Sequence, residues 1–181
     1  SRQTISNYLR ALEATFVAHI IRPFSTHRAT EIVAAPKVYG FDTGFVCYHR
    51  GWHELRSEDL GLLWEHFVLN ELHGRLQARD IRYWRDKQGH EVDFMLADRS
   101  GPPTAIECKW SASHFDTTNL RVFRRLYPRG RNLLFAPDVD RPYALKDTHV
   151  DVEALPLPQL MHGIASFASK ASGRTRRSIS R

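Results

Sequence analysis

Cysteine is scarce in this chain of 181 residues, which contains two, Cys47 and Cys108. The two thiols lie far apart and form no CxxC pair, so they cannot provide a disulfide framework. We therefore expect a reducing, cytoplasmic compartment. Apart from this shortage the composition, 42% hydrophobic and 25% charged, is that of an ordinary globular protein.

Long apolar runs are also missing. No stretch approaches the roughly 18 to 20 apolar residues that a membrane-spanning helix needs, so no membrane segment is expected. No charged-then-apolar leader opens the chain, and secretion is not expected. The chain has no GxxxxGK[ST] motif either, which excludes ATP hydrolysis through a P-loop of its own.

Acidic residues are absent from the last part of the chain, residues 165–181. This segment is rich in serine and arginine, and it carries five of the six net positive charges of the sequence. With almost no apolar content it is predicted to be a disordered basic tail. The rest of the chain is nearly neutral, so the overall charge says little about the partners of the folded part.

The first 41 residues predict a helix followed by a β-hairpin. Ser1 or Thr4 can cap a helix through about Val17, and its apolar stripe must pack on something. Two β-rich runs around a short polar link then indicate the hairpin. A helix and hairpin are the second half of a winged helix, so we expect residues 1–41 to be a partial winged helix whose natural chain extends N-terminally. Residues 42–58 look irregular and are predicted to be a linker.

The main domain is predicted over residues 59–164. A long helix over 59–79 precedes three short strands that Gly- and Pro-containing turns join into a meander. A helix over 115–127, which Pro128 ends, leads to the buried strand RNLLFAP, a short strand near 148–154 and a final turn. The order is αβββαβ, which predicts an α/β fold with a mixed sheet.

Three residues on the second and third strands of this meander form a candidate catalytic site. Side chains alternate along a strand, so Glu107 and Lys109 share one face, and Asp93 can converge with Glu107 if the strands pair. Two carboxylates at one point suit Mg²⁺ or Mn²⁺. An ion there would activate a water and neutralise a phosphate, and the lysine would position that water or balance the charge on the phosphate.

The long helix adds two acids inside its apolar arc, Glu65 and Glu71. A bare carboxylate there would cost several kcal/mol unless it were paired or bound to metal. We expect Glu65 to point at the candidate site, while Glu71 caps a backbone group or pairs with an arginine. Cys108 is predicted to be a small core residue whose backbone carbonyl is a further metal ligand. The competing interpretation is that Glu107 and Lys109 form an ordinary surface ion pair.

Four blocks of this sequence resemble a known family: PKVYGFDTG (36–44), GLLWEHFVLNEL (61–72), YWRDKQGHEVDF (83–94) and AIECKW (105–110). They resemble the domain of unknown function 4143, which typically ends prokaryotic AAA-type ATPases after a winged helix. More broadly, the order Glu65, Asp93 and Glu107-x-Lys109 resembles the PD-(D/E)XK nuclease superfamily. The resemblance covers about residues 1–137.

The resemblance implies a restriction-endonuclease-like core and an upstream ATPase domain that this sequence lacks. Carried over to this sequence, it makes Asp93 and Glu107 metal ligands, Lys109 the residue that assists the nucleophile, and Glu65 the helix acid. The winged-helix part lacks its first helices, so the resemblance does not extend to DNA binding by that part alone.

A cluster of arginines is the candidate nucleic-acid contact. Arg121, Arg124 and Arg125 fall on the side of the 115–127 helix that faces away from its apolar residues. Such a cluster can bind phosphates in a salt-dependent manner, or it can simply be a solvated helix face.

Three functions remain open from the sequence. The first is a Mg²⁺- or Mn²⁺-dependent nuclease domain, acting on DNA and tethered to an ATPase. The second is a catalytically inactive nuclease-like domain that binds DNA or protein and regulates or docks the ATPase. The third is a winged-helix transcription factor with an effector domain, which the missing helices disfavour.

Overall fold

The computed structural model describes residues 1–24, 35–76, 80–97 and 101–160. Within them the chain is an α/β fold with one mixed, eight-stranded sheet and four α-helices. The predicted basic tail, 165–181, lies outside the described residues. No helix in the described ranges is both long enough and apolar enough to cross a membrane.

The elements follow the predicted order of helix, three strands, helix and strand. The helices are α1 (Arg2–Ala14), α2 (Thr43–Arg50), α3 (Ser57–Leu76) and α4 (Thr118–Leu126). The strands are β1 (Ala18–Pro23), β2 (Lys37–Gly40), β3 (Ile81–Arg85), β4 (Glu91–Leu96), β5 (Thr104–Cys108), β6 (Asn132–Phe135), β7 (Tyr143–Lys146) and β8 (Asp151–Leu155).

The strands lie in the order β2-β1-β3-β4-β5-β6-β8-β7. β3, β4 and β5 form the predicted antiparallel meander, and β5, β6 and β8 run parallel. Helix α4 makes the crossover from β5 to β6, as parallel neighbours require. The edge strand β7 was not predicted, because its side chains are almost all exposed and leave no apolar alternation in the sequence.

Helices cover both faces of the sheet. Val68, Leu69 and Leu72 of α3 are fully buried on one face, and Leu120 and Phe123 of α4 are fully buried on the other. These layers bury the centre of the meander from both sides, so polar groups at the ends of β4 and β5 lie close to a dry interior.

The N-terminal hairpin is part of the same sheet. β1 and β2 pair antiparallel as predicted, but β1 also pairs parallel with β3 through Arg22 and Pro23. The predicted apolar stripe of α1 is largely exposed in the described residues, where Tyr8 is 69% and Phe16 is 76% accessible. The hairpin therefore extends the main sheet, and β2 forms its edge.

The prediction that residues 42–58 are an irregular linker was wrong for their first half. Helix α2 spans Thr43–Arg50, where the side chain of Asp42 accepts a hydrogen bond of 2.8 Å from the Phe45 amide. Gly51 ends the helix in the left-handed region, at φ 66°. These two caps fix the helix ends where the apolar pattern alone is weak.

The prediction that Arg124 lies on the exposed side of its helix was also wrong. Arg124 is 8% exposed. Its guanidinium donates to the Asn132 side chain at 2.7 Å and to the backbone carbonyls of Pro103 and Arg129. Burial lowers the pKa of Arg124 to about 10. An arginine can satisfy many carbonyls at once, so this side chain holds the loop before β6 together and is not available for phosphates.

Replacing this arginine should destabilise the fold. We expect Arg124→Met to lower the free energy of unfolding by about 2 to 4 kcal/mol, because buried carbonyls lose charged donors. The exposed neighbour Arg125 is the matched control, and Arg125→Met should change the value by less than about 0.5 kcal/mol. Urea unfolding measures both, and equal effects would contradict the structural role of Arg124.

Candidate functional site

The candidate site lies where strands β4 and β5 separate. Their ladder ends at the pair Phe94 and Ile106, and continuing the same register would place Asp93 opposite Glu107. Instead of a further ladder bond, the Cys108 amide donates to Asp93 Oδ2 at 2.8 Å. The Cys108 amide thus donates to a side chain and not to a backbone carbonyl of β4, and the ladder between the strands ends at the position of the two acids.

Lys109 joins the two carboxylates. Its ammonium lies 2.8 Å from Glu107 Oε2 and 3.6 Å from Asp93 Oδ2. The backbone amide of Lys109 donates to the Phe135 carbonyl at 3.1 Å, which fixes the residue beside β6. The predicted convergence of Asp93, Glu107 and Lys109 is therefore present in the structure. Cys108, between them, is buried in the core as predicted.

Glu107 is the most deeply placed acid of this group. Its side chain is 2% exposed, and its Oε1 has no hydrogen-bond partner in the part of the chain that the structure describes. Burial and the neighbouring Asp93 raise the pKa of Glu107 to about 8. Burial and Glu65 raise the pKa of Asp93 to about 6. Although burial lowers the pKa of Lys109, the two carboxylates outweigh this effect and raise it, so the ammonium stays charged.

Glu65 reaches the same cluster from helix α3. Its Oε1 accepts from the Tyr39 hydroxyl, and from the Lys37 ammonium at 3.0 Å. Lys37 also ion-pairs with Glu91 Oε1, and Arg85 pairs with the other oxygen of Glu91. Glu65 was predicted from the sequence to belong to the cluster, whereas Lys37, Tyr39 and Glu91 were not.

A signal for two of these missed residues exists in the sequence. Lys37 and Tyr39 are two apart on β2, so they point to the same face of the strand. What the sequence could not give is the place of β2 beside α3, which depends on the pairing of the hairpin with the main sheet.

A cleft of about 680 Å³ opens beside Lys37 and Glu65, lined also by apolar residues of α1, α2 and α3.

Glu71, the second acid of helix α3, pairs with an arginine, which is one of the two roles expected for it. Glu71 pairs with Arg75 one turn later, at 2.7 Å, on the outer part of α3. Of the two acids inside the apolar arc, Glu65 is therefore the one in the cluster.

Comparison with known proteins identifies the family. Residues 60–160, more than half of the chain, match the family model described as "Domain of unknown function (DUF4143)". The chain belongs to the DUF4143 family. Residues 1–56 match a second model, "Domain of unknown function (DUF8612)". Within the cluster, the acids come from the DUF4143 match, and Lys37 and Tyr39 come from the N-terminal match.

Two mycobacterial proteins, each described as uncharacterized, are similar to this DUF4143 chain: Mb2031c of Mycobacterium bovis and Rv2008c of Mycobacterium tuberculosis. Each is 28% identical over 158 residues, which cover 85% of this chain and 35% of the relative. The chain thus spans about a third of the length of these relatives.

One solved structure is similar to part of this chain. It is a refined half-complex from the tetradecameric assembly of Thermococcus gammatolerans McrB AAA+ hexamers with bound McrC. The match covers 53% of this chain and 27% of that chain, with 14% identity and a TM-score of 0.39. Similarity at this level is too distant to bear on function.

Asp93 and Glu107 are the two carboxylates at this place that could hold a hard cation. Glu107 has a buried oxygen without a donor. The carboxylate of Asp93 lies beside the Lys109 ammonium, which also contacts Glu107. No group of three or more His, Cys, Asp or Glu in the described ranges is arranged to hold a metal ion. Mg²⁺ is usually held by one or two carboxylates, with waters and substrate phosphates completing its shell, so two acids are enough.

Two arginines of the predicted nucleic-acid cluster remain at least partly exposed on helix α4. Arg121 is partly exposed, with its Nε 3.8 Å from Asp147, and Arg125 is exposed. Because Arg124 is buried, only Arg121 and Arg125 of the three predicted residues are accessible to a phosphate.

The burial of Glu107 predicts a pH-dependent stability. Its pKa rises from the ordinary 4.5 to about 8, so between these pH values the folded chain binds more protons than the unfolded chain. The free energy of unfolding of the metal-free chain should therefore fall as pH rises through this window. The raised pKa of Asp93 also lowers the free energy of unfolding as pH rises, over the narrower range from 3.8 to about 6.

Glu107→Gln should flatten this dependence, because glutamine keeps the shape of the side chain but does not titrate. Urea unfolding of the metal-free chain at several pH values measures the slope. The exposed Glu54 is the control, and Glu54→Gln should leave the slope as it is. An unchanged slope in Glu107→Gln would show that Glu107 is already ionised in the folded chain.

Proposed function

We propose that this chain is a metal-dependent phosphodiesterase domain of the PD-(D/E)XK type, with a restriction-endonuclease-like core, that acts on DNA. The observation that carries the proposal is the meeting of Asp93, Glu107 and Lys109 at the open end of β4 and β5, with one Glu107 oxygen left without a donor. The order αβββαβ and the mixed sheet support the same core.

Each residue has a definite task in this proposal. Asp93 and Glu107 would hold Mg²⁺ or Mn²⁺, with the backbone carbonyl of Cys108 as a further ligand. When bound, such an ion supplies an activated water and neutralises charge on the phosphate. The pKa of Lys109 is raised, so its ammonium donates hydrogen bonds to the attacking water or to the phosphate oxygens and does not act as a base.

The proposal extends to the partner of the domain. The relatives are about two and a half times as long as this chain, because the 158 matched residues are 35% of their length. The family resemblance implies an AAA-type ATPase in the additional part. In this proposal the ATPase moves or remodels the nucleic acid and the present domain cuts it, with Arg121 and Arg125 contacting phosphates outside the cluster.

Loss of cleavage in two variants tests the proposal. Asp93→Asn and Lys109→Ala should each lower the rate of Mn²⁺-dependent DNA cleavage by about 1,000-fold or more, because a metal ligand or a charge at the phosphate is lost. Asp93→Asn should keep the fold, since an asparagine oxygen can still accept from the Cys108 amide, and Lys109→Ala is assayed under conditions in which it is folded. Circular dichroism and a cleavage assay on single-stranded and duplex DNA measure both effects.

The exposed Asp140 provides a matched control. Asp140→Asn removes the same charge away from the cluster and should leave the cleavage rate unchanged. Cleavage that survives both site variants would assign the activity to another site or to a contaminating nuclease, and the proposal would be wrong.

A second candidate is a nuclease-like domain without catalysis, which binds DNA or protein. The observation in its favour is that the cluster is already rich in ion pairs: Lys109 contacts both Glu107 and Asp93, while Lys37 contacts both Glu65 and Glu91. In this case the acids serve to hold the strands and helix α3 in place.

Calorimetric titration with Mn²⁺ separates the two candidates. The enzyme should bind the ion with a heat that disappears in Asp93→Asn, because the carboxylate is a ligand. Wild-type chain that takes up no Mn²⁺ at millimolar concentration would favour the non-catalytic domain.

A further inference from the structure

The acid cluster consists of two similar halves. In one half, Lys109 bridges Asp93 and Glu107. In the other, Lys37 bridges Glu65 of helix α3 and Glu91 of strand β4. Glu65 also acts on the pKa of Asp93, so the two halves lie within electrostatic reach of each other.

The two halves differ in whether they contain a buried carboxylate oxygen without a donor. In the Lys109 half, Glu107 Oε1 is buried and has no donor among the described residues. In the Lys37 half, Glu65 Oε1 accepts from both Tyr39 and Lys37, and both oxygens of Glu91 have a basic partner. The first half therefore has an oxygen to offer a metal ion, and the second has its negative charge already compensated.

The surroundings fix the Lys37 ammonium in its place. The side chain comes from strand β2 and lies over the rings of Tyr39 and Tyr83, at 5.8 and 5.5 Å from their centroids. Burial and the charge of Glu65 raise the pKa of Tyr39, so its hydroxyl keeps its proton and remains a donor to Glu65. A cation and a neutral donor, both on the same oxygen of Glu65, hold the helix acid in place.

We infer that Lys37 is a built-in substitute for a second divalent cation, so that this site takes a single metal ion, in the half formed by Asp93 and Glu107. The inference rests on the proposed function for the identity of that ion. Two-metal nucleases place a second cation next to the first. Here the Lys37 ammonium, a single positive charge, lies between Glu65 and Glu91. Lys37 and Glu65 are then positioning residues, and the N-terminal hairpin supplies part of the site.

Counting bound ions tests the inference directly. Equilibrium dialysis with Mn²⁺ should find a single ion per wild-type chain. In Lys37→Ala the carboxylates of Glu65 and Glu91 lose their shared cation and gain space, so a second ion should bind. The double variant Lys37→Ala/Glu65→Gln should return to a single ion, because one of the two exposed ligands is gone. Lys146→Ala, at an exposed lysine on β7, is the control and should match wild type.

A second variant guards against a folding defect. Lys37→Met keeps an unbranched apolar stem over the two tyrosine rings and removes only the charge. It should also admit a second ion, and paramagnetic resonance of Mn²⁺ should report two coupled ions if they lie about 3.5 to 4 Å apart.

The outcomes separate this inference from the proposed function. A wild-type chain that already binds two ions, or Lys37 variants that fold and stay at the wild-type count, would overturn the substitute role of Lys37 and leave the nuclease proposal standing. A count that rises by one in the Lys37 variants supports the inference even if no DNA is cleaved, and only the proposed function would then fail.

Discussion

Charge compensation at the open end of two strands is the interaction on which the rest of this site depends. Several carboxylates lie at the edge of a dry core, and taking even one of them out of water without a partner would cost several kcal/mol. The lysines Lys37 and Lys109 repay this cost by bridging pairs of acids. The arrangement holds strand β4, strand β5, helix α3 and the N-terminal hairpin at fixed distances from each other.

The opening between β4 and β5 is itself a product of this chemistry. A regular ladder would continue past Phe94 and Ile106, but the side chain of Asp93 accepts the Cys108 amide in place of a backbone carbonyl. Asp93 thus lies at the point where the pairing of β4 with β5 ends. Ile106 and Cys108, the neighbours of Glu107 in the chain, are buried in the layer under α3.

Much of the architecture was predictable because its signals are local. The meander follows from turn residues between short apolar runs, and the buried strand β6 follows from an unbroken apolar run. Asp93, Glu107 and Lys109 could be placed together by strand alternation and pairing alone. Glu65 could be singled out because a carboxylate inside an apolar arc requires a partner.

The remaining features depend on contacts between distant parts of the chain. Helix α2 was missed because its ends are fixed by Asp42 and Gly51, while its interior has no clear apolar face. Arg124 was placed on the wrong side because its partners are carbonyls of a loop that the helix pattern does not reveal. Lys37 could not be assigned to the site because only the parallel pairing of β1 with β3 brings β2 next to α3.

That parallel pairing has a consequence for how such chains can diversify. The hydroxyl and ammonium that hold Glu65 belong to the N-terminal match, and the carboxylate belongs to the DUF4143 match. Recombination between relatives near residue 58 would therefore join halves of an electrostatic pair that were never selected together. Functional chimeras should be confined to parents in which positions 37, 39 and 65 carry compatible residues. Exchange at the boundary between the two family matches therefore affects the contacts of Glu65.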